Sequence, residues 1–211
     1  MMPHFSSQPG TYYSDALFYL SLGLHKIAGK DQLRAVMLDC DVQFAKDILL
    51  LYKEFDRFES SNLFGLAHEL TPVYKHVLYS YRSHRNTSFG EYVHTKPLTI
   101  SGNHPYGFPG YNSGVMLFNF RAIRKSLMYV DILSKDNVDR LVQKYKFKGH
   151  LGDQDFYTIL GYEYPELFRT LPCNFNRQLC VWWRDHGYSD VFANYSRCEG
   201  DVIIYHEQPH L

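Results

Sequence analysis

Short runs of consecutive apolar residues recur along this chain, and the segments between them space their apolar residues at helical intervals. Ala35-Val36-Met37-Leu38 reads as a buried strand. Leu63-Phe64-Gly65-Leu66-Ala67, Val115-Met116-Leu117-Phe118 and Val202-Ile203-Ile204-Tyr205 read as further strands. Ser14 can cap a helix to about Lys26 that puts Ala16, Leu17, Leu20, Leu24 and Ile27 on one face, with Gly29 as its stop. A second helix, about Asp47 to Phe58, is expected to bury Ile48, Leu51, Tyr52 and Phe55. Helical segments follow near 121–133 and 138–146, and another opens around Asp153. Residues 83–111 are rich in Gly, Pro, His, Ser and Asn without a clear period, which predicts a long surface loop. Strands alternating with helices predict an α/β fold with a mainly parallel sheet.

The length of 211 residues suits one domain over 1–211. The 22 basic and 22 acidic residues cancel, and no basic stripe or run points to nucleic acid. No apolar run approaches the roughly 20 residues that cross a bilayer, and the Met1-Met2-Pro3-His4 start has no signal-peptide core. Two features nonetheless suit a secretory compartment. Asn86-Thr87-Ser88 and Asn194-Tyr195-Ser196 fit the N-glycosylation sequon, and Cys173, Cys180 and Cys198 cluster near the C-terminus. Those cysteines are either buried thiols or partners in a local disulfide, and their spacing fits no zinc pattern.

The densest chemistry is Val36-Met37-Leu38-Asp39-Cys40-Asp41. Two carboxylates at i and i+2 leave a strand at its C-terminal end, where open α/β sheets place their ligands. Such a pair can converge on one hard cation and leave positions open for phosphate oxygens. The plainer alternative is two solvated loop aspartates. Asn112-Ser113-Gly114 precedes a strand, where a residue without a side chain lets backbone amides approach a ligand; alone, the triplet is equally an ordinary turn. Asp153-Gln154 opens a helix, whose N-terminus favours anionic or hydroxyl-rich ligands. His206 follows the last strand and, on its own, is one histidine among 11. Trp182 and Trp183 suit either core packing or stacking on a flat ligand face.

Taken together these segments carry a resemblance. The strand ending in Asp39-Cys40-Asp41 is followed by Gly110-Tyr111-Asn112-Ser113-Gly114-Val115-Met116-Leu117-Phe118-Asn119, then His150-Leu151-Gly152-Asp153-Gln154-Asp155-Phe156, then Tyr205-His206. The series resembles family 8 of the retaining glycosyltransferases. Asn176-Arg177-Gln178-Leu179-Cys180-Val181-Trp182-Trp183-Arg184-Asp185-His186-Gly187-Tyr188-Ser189-Asp190 and the opening Tyr12-Tyr13-Ser14-Asp15-Ala16-Leu17-Phe18 narrow it to the xyloside xylosyltransferase branch. The resemblance runs from about Tyr12 to His206.

The resemblance implies a GT-A fold, with Asp39, Asp41 and His206 holding Mn²⁺ (Mg²⁺ as an alternative) beside a UDP-sugar. Cys40, Asn112, Ser113, Gly114, His150, Leu151, Gly152, Asp153 and Gln154 are then expected around the donor. Gln154 is expected under the anomeric carbon, with Asp153 beside it as the second catalytic candidate. An amide is a poor nucleophile, so substrate-assisted front-side transfer, or an oxocarbenium ion shielded by Gln154, suits this chain better than a covalent glycosyl-enzyme. Trp182, Trp183, His76 and Tyr79 fall to the acceptor. The donor implied is UDP-xylose, and the acceptor a xylosyl-glucose on EGF-like repeats such as those of Notch, extended by an α1,3-linked xylose. A Cys173–Cys198 disulfide is expected, with Cys40 and Cys180 free. The location implied is the lumen of the endoplasmic reticulum.

Two departures accompany the resemblance. The chain is expected to lack the first strand and helix of the uridine pocket and the membrane anchor upstream of them. A further cysteine of the relatives, shortly after the histidine, has no counterpart here. Other readings are a family 8 UDP-hexose transferase, a haloacid-dehalogenase-type phosphatase, whose nucleophile motif is also strand-D-x-D and whose acidic motif Gly152-Asp153-Gln154-Asp155 imitates, and a non-catalytic EGF-binding fragment.

Overall fold

In a computed structural model of the chain, residues 2–5, 16–92 and 107–207 are described. The expected cap Ser14, its neighbours from Tyr12, the middle of the 83–111 segment and the residues after Glu207 lie outside them. The strands are β1 (Ala35–Leu38), β2 (Val42–Phe44), β3 (Phe64–His68), β4 (Tyr111–Phe118), β5 (Phe168–Leu171), β6 (Arg177–Gln178) and β7 (Ile204–His206). They form one sheet of order β1-β4-β3-β5 and a second of order β2-β7-β6.

The sheet is mixed rather than mainly parallel. β3 and β5 run parallel, but β4 is antiparallel to both β1 and β3. Thus β1, β3 and β5 share one direction, as alternation with helices demands, and β4 is inserted against them. Period alone cannot show such an insertion, because an apolar run looks the same in either direction. The ladder between β3 and β4 slips between Leu66 and Ala67, opposite Met116 and Asn112, which bulges the Ser113–Val115 stretch of β4.

The core lies on both faces of this sheet. Leu66, Met116, Phe118 and Phe64 pack with Phe156, Tyr157 and Leu160 from the Asp153–Glu163 helix. On the other face Val115, Leu117 and Ala67 pack with Leu51, Phe55, Leu171 and Ile204. Those residues come from alternate positions of the strands, so both faces of the central strands are dry.

Several boundaries differ from the sequence reading. Residues Ala16–Gly23 wind as a 3₁₀ helix, and only Leu24–Ile27 is α-helical. Three residues per turn bring Leu22 and His25 inward together with Ser21, and leave Leu17, Leu20 and Ile27 exposed. The Asp47–Phe58 segment is an α turn, Leu49–Tyr52, followed by a 3₁₀ turn, Lys53–Arg57. Leu51 and Phe55 are buried as expected, whereas Ile48 and Tyr52 face outward. The 121–133 stretch divides into Phe120–Ile123 and Leu127–Ile132, because Asn119 and Ser126 each accept a backbone N–H and start a fresh helix. β1 is an edge strand, half-buried throughout, rather than a fully buried one.

A disulfide joins Cys173 to Cys198 across a sequence separation of 25, while Cys40 and Cys180 are free thiols. The closed loop contains β6, both tryptophans and the Ser189–Ser196 helix. Closing a loop of that length is worth about 3 kcal/mol in the chain-entropy account. Replacing both cysteines by serine is therefore expected to lower the melting temperature by roughly 6–12 °C. An unchanged melting curve would show that the loop is held by its packing alone.

Candidate active site

Asp39 and Asp41 sit where the chain passes from one sheet to the other. The Asp39 N–H donates to Gly114 O at 2.9 Å, extending the β1–β4 ladder, and the Asp41 carbonyl accepts from Glu207 N–H at 2.9 Å, extending β2–β7. This change of sheet turns two i, i+2 side chains toward one point and away from the sheet they leave. β7 supplies the third group. Ile204 and His206 lie on the same face of β7, and Ile204 anchors the strand in the second core cluster. His206 is thereby held 2% exposed, with Nε2 3.3 Å from Asp41 Oδ1 and 3.5 Å from Asp39 Oδ2. One ligand atom from each of the three residues lies within 4.8 Å of the other two.

The residues fit a divalent cation on two counts. Two carboxylates and one imidazole are a hard-to-borderline donor set. The imidazole is also oriented, because His206 Nδ1 lies 3.0 Å from the buried Asn176 Oδ1. That oxygen only accepts, so Nδ1 carries the proton and the Nε2 lone pair faces the carboxylates.

Gly114 makes this geometry possible in a way its sequence context does not reveal. A Cβ there would stand 2.1 Å from His206 Cε1, and all three nearest atoms belong to that ring. Its backbone N–H is already taken by Asn112 Oδ1 at 3.0 Å, and the Ser113 N–H by Gln154 Oε1 at 3.1 Å. The bare Cα of Gly114 thus makes room for the imidazole, rather than freeing amides for a ligand.

The His150–Gln154 loop closes the other side. Gly152 adopts φ 66° at the start of the Asp153–Glu163 helix, a left-handed conformation that glycine accepts readily. Asp155, fully buried, accepts the N–H groups of His150 and Leu151 at 2.6 and 2.8 Å and the Tyr74 hydroxyl at 3.0 Å. Burial outweighs those donors and pushes its carboxyl up to about 7. Asp153 is raised to about 6, chiefly by burial and further by the Asp39 charge, and Ser21 hydrogen-bonds to it. Gln154, 7% exposed, lies between Ser113 and Glu69.

Trp182, Trp183 and His76 come together, and Tyr79 does not join them. The His76 and Trp183 rings are 5.2 Å apart, His76 Nδ1 and the Tyr188 hydroxyl 2.8 Å apart, and Trp182 stands edge-on to Trp183 at 5.0 Å. Trp182 also stacks on His186 at 3.9 Å. Tyr79 is 72% exposed on the neighbouring helical turn. The wall adjoins the His150–Gln154 loop through His150, whose pKa is lowered by burial and then by the His76 charge.

Four residues near the centre were not among the site candidates read from the sequence: Glu69, Asn176, Asp155 and Ser21. Glu69 carries the signal that exposed Asp39, a carboxylate just past the end of a strand. Asp155 and Asn176 stood only inside longer motifs and Ser21 in none, since buried polar side chains look like loop residues until their partners are known.

No protein-family model matches the chain. Human xyloside xylosyltransferase 1 is 49% identical to it over 207 residues, 98% of this chain and 50% of the relative. The crystal structure of mouse xyloside xylosyltransferase 1 in its apo form superposes with a TM-score of 0.88 at 46% identity, covering 99% of this chain and 68% of that one. The chain belongs to the xyloside xylosyltransferase family. The galactosyltransferase LgtC, 16% identical, matches with a TM-score of 0.50 over 89% of this chain and 56% of its own. At that identity the likeness concerns the fold alone, which is GT-A. Membership of the xyloside xylosyltransferase family replaces the phosphatase alternative, and the chain spans about half the length of the curated family members it matches.

Proposed function

We propose that this chain carries the metal- and donor-handling part of a retaining xylosyltransferase. It would move xylose from UDP-xylose to the terminal xylose of an O-linked xylosyl-glucose on EGF-like repeats, forming an α1,3 linkage. The observation that carries the reading is the convergence of Asp39, Asp41 and a tautomer-fixed His206 at one sheet end, within a chain 49% identical to a xyloside xylosyltransferase.

Asp39, Asp41 and His206 would hold Mn²⁺ together with the donor diphosphate. Bound there, the ion supplies positive charge against the charge that develops on the departing UDP. Cys40, between the two aspartates, offers its backbone to the nucleotide. Asn112 and Gly114 shape the floor, and the Ser113 hydroxyl and the His150–Gly152 loop line the donor sugar. Asp153 accepts from sugar hydroxyls. Gln154 presents its amide beneath the anomeric carbon, positioned rather than nucleophilic. The His76, Trp182 and Trp183 wall offers aromatic faces to the acceptor, with Tyr79 at its margin. The lumen of the endoplasmic reticulum suits the Cys173–Cys198 disulfide and the sequons at Asn86 and Asn194. Among the described residues, no helix is long and apolar enough to cross a membrane.

Calorimetric titration of UDP into the chain, with and without Mn²⁺, tests the metal assignment. Asp41→Asn and His206→Ala are each expected to remove the metal-dependent part of the affinity, at least about 10-fold. Metal-dependent affinity that survives both substitutions rules the assignment out. Xylose transfer from UDP-xylose to a xylosyl-glucosyl EGF repeat tests the substrates, with UDP-glucose and UDP-galactose as competing donors.

A further inference from the structure

Glu69 follows β3 and is 1% exposed. Its hydrogen-bond partners are four neutral donors. Oε1 accepts the Thr71 N–H at 3.0 Å and the Thr71 hydroxyl at 2.6 Å. Oε2 accepts Asn112 Nδ2 at 2.9 Å and Gln154 Nε2 at 3.3 Å. A carboxylate surrounded in this way only accepts, so each of the two amides must turn its nitrogen toward it.

The consequence runs along two branches. With its nitrogen on Glu69, Asn112 presents Oδ1 to the Gly114 N–H and to Asn176 Nδ2, the latter at 2.8 Å. Asn176 then presents Oδ1 to His206, so Nδ1 must donate and Nε2 keeps its lone pair for the Asp39–Asp41 side. On the other branch, Gln154 turns Oε1 to the Ser113 N–H. One carboxylate, outside the Asp39–Asp41–His206 cluster, thus acts with the Gly114 and Ser113 N–H groups to orient all three of these amides.

We propose that Glu69 is a positioning residue that fixes the His206 tautomer through Asn112 and Asn176, and the Gln154 amide directly, so that one buried carboxylate keeps the metal-facing and sugar-facing sides in register. This rests on the donor-site reading above, but its key observable, the tautomer of a buried histidine, exists without metal or donor.

Glu69→Leu has no acceptor for either amide nitrogen. Glu69→Gln alone can still turn its oxygen to both amides while its NH₂ donates to the Thr71 hydroxyl against the Thr71 N–H, so it breaks the relay only when its NH₂ is drawn to the amide side. Glu69→Gln combined with Asn112→Asp separates the branches. The amide nitrogen introduced by the first substitution can donate to the carboxylate introduced by the second. The other oxygen of that carboxylate still accepts from Gly114 and Asn176, so the His206 branch is restored. Gln154 still meets a nitrogen where it met an oxygen, so its branch stays broken.

The experiment uses the full chain, ¹⁵N-labelled at histidine and glutamine, at a pH where His206 is neutral. The parent is expected to show His206 protonated on Nδ1 by long-range ¹⁵N–¹H correlation. Glu69→Leu is expected to lose that pattern and to bind Mn²⁺, in the presence of UDP, about 10–100-fold more weakly. The double variant should regain the Nδ1–H pattern and Mn²⁺ affinity to within about threefold of the parent, while its Gln154 side-chain amide signals remain displaced. A parent His206 protonated on Nε2 overturns the proposal even if no variant folds. So does Glu69→Leu with tautomer and affinity unchanged. A parent with the Nδ1–H pattern and no Mn²⁺ affinity instead supports the Glu69 relay and sinks the metal reading.

Discussion

Gly114→Ala is expected to weaken Mn²⁺-dependent UDP binding by about 10–100-fold while leaving the fold intact. The added methyl carbon would stand 2.1 Å from His206 Cε1 and 2.6 Å from Nδ1, far inside contact distance. Something has to move, and the three nearest atoms all belong to one side chain. Gly114 is tied by its carbonyl to the Asp39 N–H and by its N–H to Asn112 Oδ1, so the imidazole gives way and leaves both the Asn176 oxygen and the two carboxylates. The loss should appear in calorimetric titration. Circular dichroism and the melting temperature should stay near those of the parent, because β4 keeps its ladder bonds. Metal-dependent affinity equal to the parent's would mean that His206 is not a ligand, or that its ring can occupy a second position of equal quality.

In the absence of metal, stability should fall as the pH rises from about 5 to about 7.5, the reverse of ordinary acid denaturation. Asp155 is responsible for most of the effect. Its carboxyl is pushed from an ordinary value of 3.8 up to about 7 by burial. Between those values the folded chain holds a proton that the unfolded chain has released. The stabilisation is complete below about pH 4 and disappears as the pH climbs through about 7. From pH 5 upward the loss amounts to roughly 2–3 kcal/mol, or roughly 5–10 °C in melting temperature. Asp153, raised to about 6, acts in the same direction over the lower part of that range. Asp155→Asn keeps the shape, with Oδ1 accepting from His150 and Leu151 and Nδ2 donating to the Tyr74 oxygen. It should flatten most of the slope in melting curves recorded across the range. An equally steep decline in that variant would place the titrating group elsewhere.

The legible part of this protein was its strand ends. The β1, β3 and β4 runs stand where their apolar residues put them, although β3 starts one residue later and β4 begins upstream of its apolar run. Asp39, Asp41 and His206 lie at strand termini, where ligands gather. The helices were less legible for a specific reason. Tyr19 and Leu22 follow a three-residue turn, and a 3.6-residue period carried through that stretch assigns the wrong faces to Leu17 and Leu20. β4's direction was invisible, as were the two-residue strand β6 and the short β2 after Asp41, because neither is long enough to show alternation. The Glu69–Asn112–Asn176 chain was hidden differently. Each residue is ordinary by itself, and only the crossing of β3, β4 and the 173–178 segment makes a relay of them.

The pairing of β2 with β7 joins an early segment of the chain to one of its last. Loop-closure entropy for so remote a contact must be met before the contact returns anything, so this ladder is a late step in folding. Asp39 and Asp41 have no third partner until His206 has been synthesised and has reached its place beside Val42. During biosynthesis the growing chain therefore offers two free carboxylates and no chelate. Once closed, an ion bound at that junction would pin together segments remote in sequence, as a crosslink does. Affinity for metal would then depend on that remote contact having been made.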